Sequence, residues 1–347
     1  MEACEIKKYF IRNDGEFYKA NLHCHSTVSD GKLSPDELKK FYKKHGYSVL
    51  AYTDHNILIA HPELRDEEFL PLNSYELSVF TLDKYSGAAG KQYEKPCHLI
   101  LIAKEENNLD MVCWNRNFLF ANAVNYESQA KFKKSEDNYD RVYTPDCIND
   151  IINRAHKGGY YVIYAHPTWS GEIYPTYIQY KNLDAMEIMN YSSIQEGNFE
   201  FNDRVYDDFL LDGKFMSCVA GDDNHNHYPP ETNPKWDSCG TYTMIKAPKL
   251  EYREITKALE EGNSYASNGA SIYDLYMEDG KVCVSCSDAY MVSYVSNALW
   301  AQRRNTEEGT SLTYAEFAPH EYDKWFRIKI VGKDGKFAYS NAYRLYF

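Results

Sequence analysis

Histidines and carboxylates recur along this chain at spacings suited to metal ligation. The stretch 21–56 begins Asn21-Leu22-His23-Cys24-His25, passes through Ser29-Asp30-Gly31 and closes Tyr52-Thr53-Asp54-His55-Asn56. Alternate residues of a strand share a face, so His23 and His25 make a ready ligand pair while Cys24 points the other way. Asp30 comes just past that strand, and Asp54 and His55 arrive at the end of the next apolar run. Glu76, His98, Ala165-His166-Pro167 and Gly221-Asp222-Asp223-Asn224-His225 repeat the association of ligand-type residues with apolar runs. Nitrogen and carboxylate donors without cysteine suit Zn²⁺, Mn²⁺ or Fe²⁺ rather than a thiolate zinc site. The set exceeds what one ion needs. A carboxylate such as Glu76 can bridge two ions, and two-metal sites hold them ~3.5–4 Å apart to clamp attacking and leaving oxygens. A His-x-His alone is more often incidental than a ligand pair. Its repetition at successive strand ends favours metal, because a packed barrel end needs no such cluster for stability.

The elements that must position these residues follow from the apolar pattern. Ser34-Pro35-Asp36-Glu37 opens a helix with a capping box and proline at its first position; Leu38, Phe41, Tyr42 and His45 share its apolar face, and Gly46 ends it. That spacing makes His45 a core histidine. Strand, helix and strand between Ala20 and Tyr52 form a βαβ unit, which implies parallel strands with their C-terminal ends together. Residues 69–75 are extended and deliver Glu76, and 98–103 form a buried strand with a histidine near its start. Residues 104–144 read as a helical insertion, with Lys131, Lys133 and Lys134 on a solvated face. Thr144-Pro145 starts a helix carrying Ile148, Ile151, Ile152 and Ala155 on one face, and strands follow at 160–165, 185–189 and 215–220. About seven strands alternating with helices, with polar residues at their ends, are expected of a (β/α) barrel whose site lies at the C-terminal face. After residue 230 short alternating stretches take over, and Lys333-Asp334-Gly335-Lys336 reads as a hairpin turn. The expected division is a barrel over residues 1–262 and a small all-β domain over 263–347.

The 347 residues are 44% hydrophobic and 26% charged, a globular composition. A net charge of −13 disfavours a long nucleic-acid partner, although bound cations would cancel part of it locally. Residues 1–8 lack the basic start and apolar core of a signal peptide, and no apolar run approaches the ~20 residues that span a bilayer. Nine cysteines without a disulfide rhythm suit a reducing, cytoplasmic setting. Cys283-Val284-Ser285-Cys286 is a lone CxxC on a strand, where its thiols face opposite sides, and carries no zinc or redox assignment. His61, His156 and His320 lie in polar contexts and are read as solvated, while Trp169 and Asn190 lie just beyond strand ends, where either packing or substrate contact is open. The 32 tyrosines leave room for an aromatic pocket.

The ordered set His23-Cys24-His25 with Ser29-Asp30-Gly31, Thr53-Asp54-His55-Asn56, Glu76, His98, Ala165-His166-Pro167 and Asp223-Asn224-His225 resembles the polymerase-and-histidinol-phosphatase (PHP) family of metal-dependent phosphoesterases over roughly residues 20–226. The resemblance implies a distorted seven-stranded barrel holding two to three divalent ions, Zn, Mn or Fe. By family pattern His23, His25, Glu76 and Asp223 hold the first, Glu76, His98 and His166 the second, and Asp30, His55 and His225 the third. Asp54 orients a ligand histidine. The usual Gly-Ser-Asp reads Gly221-Asp222-Asp223 here, which adds a charge beside the site, and His227 is an alternative ligand. The implied reaction is attack on phosphorus by a metal-bridging hydroxide, the leaving oxygen being protonated by Asp54, His227 or a metal-bound water. The expected substrate is a phosphomonoester or phosphodiester of a small metabolite or short nucleotide. The alternatives are hydrolysis of a cyclic amide or ester by a similar centre, and a non-catalytic scaffold with a ligand-binding β domain.

Overall fold

The computed structural model describes residues 7–80, 96–229 and 231–346. The leader reading of the first residues falls partly on 1–6, outside the described residues. Seven strands frame the predicted ligands: β1 (Glu16–Cys24), β2 (Val49–Tyr52), β3 (Leu70–Val79), β4 (Cys97–Ala103), β5 (Tyr160–Tyr164), β6 (Ala185–Asn190) and β7 (Ser217–Gly221). They lie side by side in chain order within one sheet. Strands β2 to β6 are buried along their whole lengths, so they read as continuous apolar runs rather than alternating ones.

β1, β2 and β3 pair in parallel, as do β5, β6 and β7, but β4 runs antiparallel to both β3 and β5. The uniformly parallel order expected from the first βαβ unit therefore fails at one strand. The reversal explains the odd position of His98: the start of β4 lies at the same end of the sheet as the finishes of the other six. Hydrogen-bonded pairing between β1 and β7 is confined, among the described residues, to this end. There the Asp223 N–H donates to the His23 carbonyl (2.8 Å) and the His25 N–H to the Asn224 carbonyl (3.1 Å). Gly221 permits the approach, because a Cβ there would lie 2.7 Å from that of His23. Seven strands follow one another in an α/β arrangement with a β-rich C-terminal part, but the sheet is not closed by a continuous ladder into the expected seven-stranded barrel.

Helix α1 (Pro35–Lys44) starts with the capping box read from the sequence, and it buries Leu38 and Tyr42. His45 is its C-cap rather than a core residue. It is half-buried, with ring nitrogens 2.8 Å from the Phe41 carbonyl and 2.9 Å from Glu231. The apolar stripe reaches it only at the frayed end of the helix. His61 is buried against the Tyr52 ring, contrary to the solvated reading. Helix α2 (Pro145–Lys157) buries Ile148, Ile151, Ile152 and Ala155 as expected, and α3 (Asp203–Leu211) follows β6.

Residues 104–144 hold no α-helix. The segment is built of short 3₁₀ turns, Arg116–Phe118, Ala121–Gln129 and Lys134–Glu136. Its residues lack a 3.6-residue apolar period, so nothing selects a long helix; Met111, Val112, Cys113, Trp114 and Phe118 are buried, and a buried arginine ties the segment in. Arg141, completely buried, donates to the Cys113 carbonyl from Nε (3.1 Å) and Nη2 (2.9 Å) and to the Ser78 carbonyl from Nη1 (3.0 Å). Nη1 also bonds the Asn56 side chain, and the guanidinium lies 4.4 Å from the Phe118 ring centre.

Beyond the site, β8 (Tyr242–Ala247) pairs antiparallel with β1, helix α4 (Tyr252–Glu260) covers the sheet, and β9 (Ser264–Ser267) pairs with β8. The rest is β-rich: β10 (Ile272–Glu278), β11 (Lys281–Cys286), β12 (Ala289–Ser296), β13 (Gln302–Asn305), β14 (Tyr314–Phe317), β15 (Trp325–Gly332) and β16 (Phe337–Ser340). The large sheet continues from β9 through β16, β15 and β12 to β13, while the short strand Lys8–Tyr9 joins β10, β11 and β14 in a second sheet. Residues 333–336 form the predicted turn between β15 and β16, with Gly335 at φ +78°. The Cys283 and Cys286 thiols bond different main-chain carbonyls, of Lys281 and Leu312. Among the described residues every cysteine is a free thiol, and no helix is long and apolar enough to cross a membrane.

Candidate metal centre

Glu76, on β3, lies completely buried among histidines brought from five places in the chain. Its carboxylate oxygens are 2.8 Å from His55 Nδ1, 2.8 Å from His98 Nδ1 and 3.1 Å from His166 Nε2, with His23 and His25 Nε2 each at 3.4 Å. Asp223 Oδ1 lies 3.1 Å from His23 Nε2 and 3.0 Å from His25 Nε2. Asp30 faces His225 Nε2 at 3.4 Å and His25 and His55 at 3.8 Å. All nine predicted ligands therefore share one cluster. Two of them, His166 (φ +25°) and Asp223 (φ +55°), hold backbone conformations that L-residues rarely adopt, a strain found at sites where geometry is imposed.

The donor set fits divalent cations better than it fits itself. His23 Nε2 and His25 Nε2 lie 3.2 Å apart, a contact in which at most one nitrogen can donate. His98 Nδ1, Glu76 Oε2 and His25 Nδ1 are buried without an aligned hydrogen-bond partner, despite their close neighbours. Buried polar atoms normally find a partner, and lone pairs converging on shared points are the arrangement of ligands around cations. Three groups bring ligand atoms within 4.8 Å of one another: His25 with Asp30, His55 and His225; His23 with His25 and Asp223; and His23 with Glu76 and His166. His25 thus belongs to two groups, and His98 joins through Glu76.

The electrostatics are those of interleaved charges. Burial opposes ionisation of Glu76 and Asp223, yet the surrounding histidines hold both well below the usual carboxylate range. Burial also opposes charge on His166 and His225, but Glu76 and Asp223 lift the first to about 9 and Asp30 lifts the second to about 10. His25, buried between His225 and His55, is pushed down to about 4. Ions bound among these histidines would compete with protons, so metal uptake would release protons.

A ring of partners aims the ligands. Glu187 sits in the apolar run of β6, 1% exposed; its carboxylate bonds His23 Nδ1 (3.0 Å) and accepts the His166 N–H (3.0 Å). Sequence reading passed it over, although a glutamate inside a buried strand is itself a signal. Asn190 donates to Glu187 (2.9 Å) and Asp223 (3.2 Å), a bracing role in place of substrate contact. Asp237, also unforeseen, accepts the N–H groups of His225 (2.7 Å) and Asn226 (3.1 Å). Asp54 accepts from the N–H and hydroxyl of both Ser26 and Ser29 at 2.7–3.0 Å, so it braces the loop leading to Asp30; its carboxylate is fully engaged there and bonds no histidine.

Asp222 turns away from the cluster. It accepts from the N–H groups of Cys239 (2.7 Å), Gly240 (3.0 Å) and Thr241 (3.0 Å) and from the Tyr42 hydroxyl (2.9 Å), all in the interior. Asp222→Ala should strand these donors and cost about 2–4 kcal/mol, read as a lower urea midpoint at unchanged slope.

A cavity of about 700 Å³ opens above the cluster, with Asp30, His55, Glu76, His98, His166, Asp223 and His225 at its floor. Phe118 and Phe120 from the insertion, Trp169 after β5, and exposed His227 and Lys235 shape its walls and rim. His227 stacks on His225 with ring centres 5.8 Å apart, and burial, His225 and Lys32 lower its pKa.

Residues 21–184 match the family model of the PHP domain. The PHP resemblance read from the sequence is shown over that segment. The match ends before Asp223 and His225, which the fold nevertheless returns to the PHP cluster beside His23 and His25. No curated protein matches the chain. Among solved structures it is similar to a two-domain protein from Bacteroides vulgatus described as containing a predicted PHP-like metal-dependent phosphoesterase. That likeness has 13% identity, a TM-score of 0.44 and coverage of 96% of this chain and 97% of the other. An amidohydrolase from Chromobacterium violaceum with bound sulfate and no metal shares 16% identity at a TM-score of 0.39, over 71% of this chain and 96% of its own.

Proposed function

We propose that this protein is a metal-dependent phosphoesterase that hydrolyses a phosphomonoester or phosphodiester of a small metabolite or short nucleotide. The observation that carries the reading is the set of five histidine rings within 3.4 Å of the Glu76 carboxylate at the floor of an open cavity. His23, His25, Asp30, His55, Glu76, His98, His166, Asp223 and His225 would hold two to three Zn, Mn or Fe ions. When bound, such ions acidify water and withdraw charge from phosphate oxygens. The chain's own residues do the rest. Glu187 fixes the Nδ1 side of His23 so that Nε2 faces the cluster. Asp54 holds the Ser26–Ser29 loop and acts on the site through Asp30, as a positioning residue. His227, at the rim of the cavity, would pass a proton between solvent and the leaving oxygen. Net charge of −13 weighs against long nucleic acid, and a free thiol complement suits a cytoplasmic setting.

The test is a panel of phosphomonoesters, phosphodiesters and lactones assayed with added Mn²⁺ or Zn²⁺. Release of phosphate or of a phosphomonoester is the expected result. Turnover of the lactones alone would move the assignment to a non-phosphate hydrolase, and metal binding without turnover of any compound would favour a scaffold.

A further inference from the structure

Of the large aromatic side chains exposed on the cavity wall, Phe120 (44%), Tyr228 (43%) and Trp169 (39%), the first and last have ring contacts with the clustered histidines. These two flank the cluster. The Phe120 ring meets the His55 ring edge-on with centres 5.7 Å apart, and Trp169 lies 5.9 Å from His98 and 4.9 Å from His166. The His55 and His98 rings between them are 5.8 Å apart.

Both aromatics are held in place by polar bonds. The Trp169 indole N–H donates to Glu196 (2.8 Å), and its backbone N–H donates to Glu200 (2.6 Å), a fully buried carboxylate that also takes the Thr168 N–H (3.0 Å). Thr168 further bonds Asn202 (2.7 Å). On the other wall Ala121 adopts φ +49°, and Asn122 bonds the carbonyls of Ser29 (2.9 Å) and Thr27 (3.2 Å), which fixes the chain beside Phe120. A polar framework that keeps aromatic faces open to a cavity is costly to order and unnecessary for packing. Among the described lining residues, Lys235 is the sole lysine or arginine, while Glu196, which accepts the Trp169 indole N–H, sets a carboxylate beside that ring. A second anionic group on the substrate would meet repulsion there.

Resting on the phosphoesterase reading, we propose that Phe120 and Trp169 form an aromatic slot that takes a planar, uncharged leaving group, so that the substrate is the phosphate ester of a planar, uncharged alcohol. Stacking on these faces gives the leaving group affinity, and their contacts with His55, His98 and His166 set its distance from the floor.

Binding decides the matter without turnover. Calorimetric titration of the metal-loaded protein with phenylphosphonate and methylphosphonate should give about tenfold tighter binding of the phenyl compound. In Trp169→Ala and in Phe120→Ala the phenyl-to-methyl ratio should fall toward one, and Trp169→Phe should restore most of it. Phe120→Ala, at an exposed wall position, keeps the test open if Trp169→Ala folds poorly. Equal affinity of the wild type for both phosphonates, failure to bind either, or a phenyl preference that survives both alanine variants would overturn the slot. Phosphate release from phenyl phosphate is measured separately. A phenyl preference lost in both variants supports the slot even where no ester is hydrolysed, a result that would sink only the phosphoesterase reading.

Discussion

Glu76→Gln should empty the metal centre and silence hydrolysis together. The substitution keeps the volume of the side chain and removes one negative charge. It also replaces one carboxylate oxygen by an NH₂ group that donates where a ligand lone pair is needed. In the folded protein Glu76 is the carboxylate common to His23, His25, His55, His98 and His166. Glu76 would be shared by two of the ions, so its loss affects more of the centre than loss of an outer ligand such as Asp30, which belongs to one group. The expected fall in turnover is about a thousandfold or more, larger than a single hydrogen-bond donor at an active site supplies. Metal content by elemental analysis should fall with it. Ion binding to the folded state alone contributes about 2.7 kcal/mol at a hundredfold excess over Kd, which in a chain of this size is a shift of roughly 4 °C in melting midpoint. Chelation should therefore lower the midpoint of the wild type and leave Glu76→Gln nearly unmoved. Full metal content with full activity in the variant would remove Glu76 from the centre.

The ligands themselves were legible because chemistry and fold mark them twice. Each is a residue type that binds metal, and several stand where an apolar run ends, as His55 does after β2 and His166 after β5, while Glu76 lies inside β3 and His98 near the start of β4. The capping box of α1 and the turn at 333–336 were equally local, and local signals survive folding. What escaped was set by distance in space. The reversal of β4 leaves no mark in its own sequence, because a strand buried on both faces reads alike in either direction. Asp54 and Asp222 have the same composition signal as true ligands, and only the partners they meet separate them: the Ser26–Ser29 loop for one, the N–H groups of residues 239–241 for the other. Glu187 lay hidden inside an apolar run, where a pattern of strand ends does not search. The insertion was misjudged because its organising residue is a single arginine rather than a stripe.

That arginine carries the second large effect. Arg141→Met should destabilise the protein by about 3–5 kcal/mol, since removing a buried, fully bonded charge leaves its acceptors without partners. The carbonyls of Cys113 and Ser78 would lose their donors, and so would the Asn56 side chain. The residues concerned decide how the damage spreads. Asn56 directly follows His55, its side-chain oxygen accepts the Ser78 N–H (3.0 Å), and Ser78 lies two residues from Glu76 on β3. Cys113 begins the wall that carries Phe118 and Phe120, and Phe118 packs directly on the guanidinium. One side chain thus joins the floor of the cavity to its aromatic wall. Methionine fills much of the volume but supplies no donors, so the wall should loosen before the strands do. The prediction has two readouts: a lower urea midpoint, and amide hydrogen exchange that rises first in residues 112–130 while β2 and β5 stay protected. Uniform loss of protection across the whole chain would show instead that the insertion and the seven strands unfold as one unit.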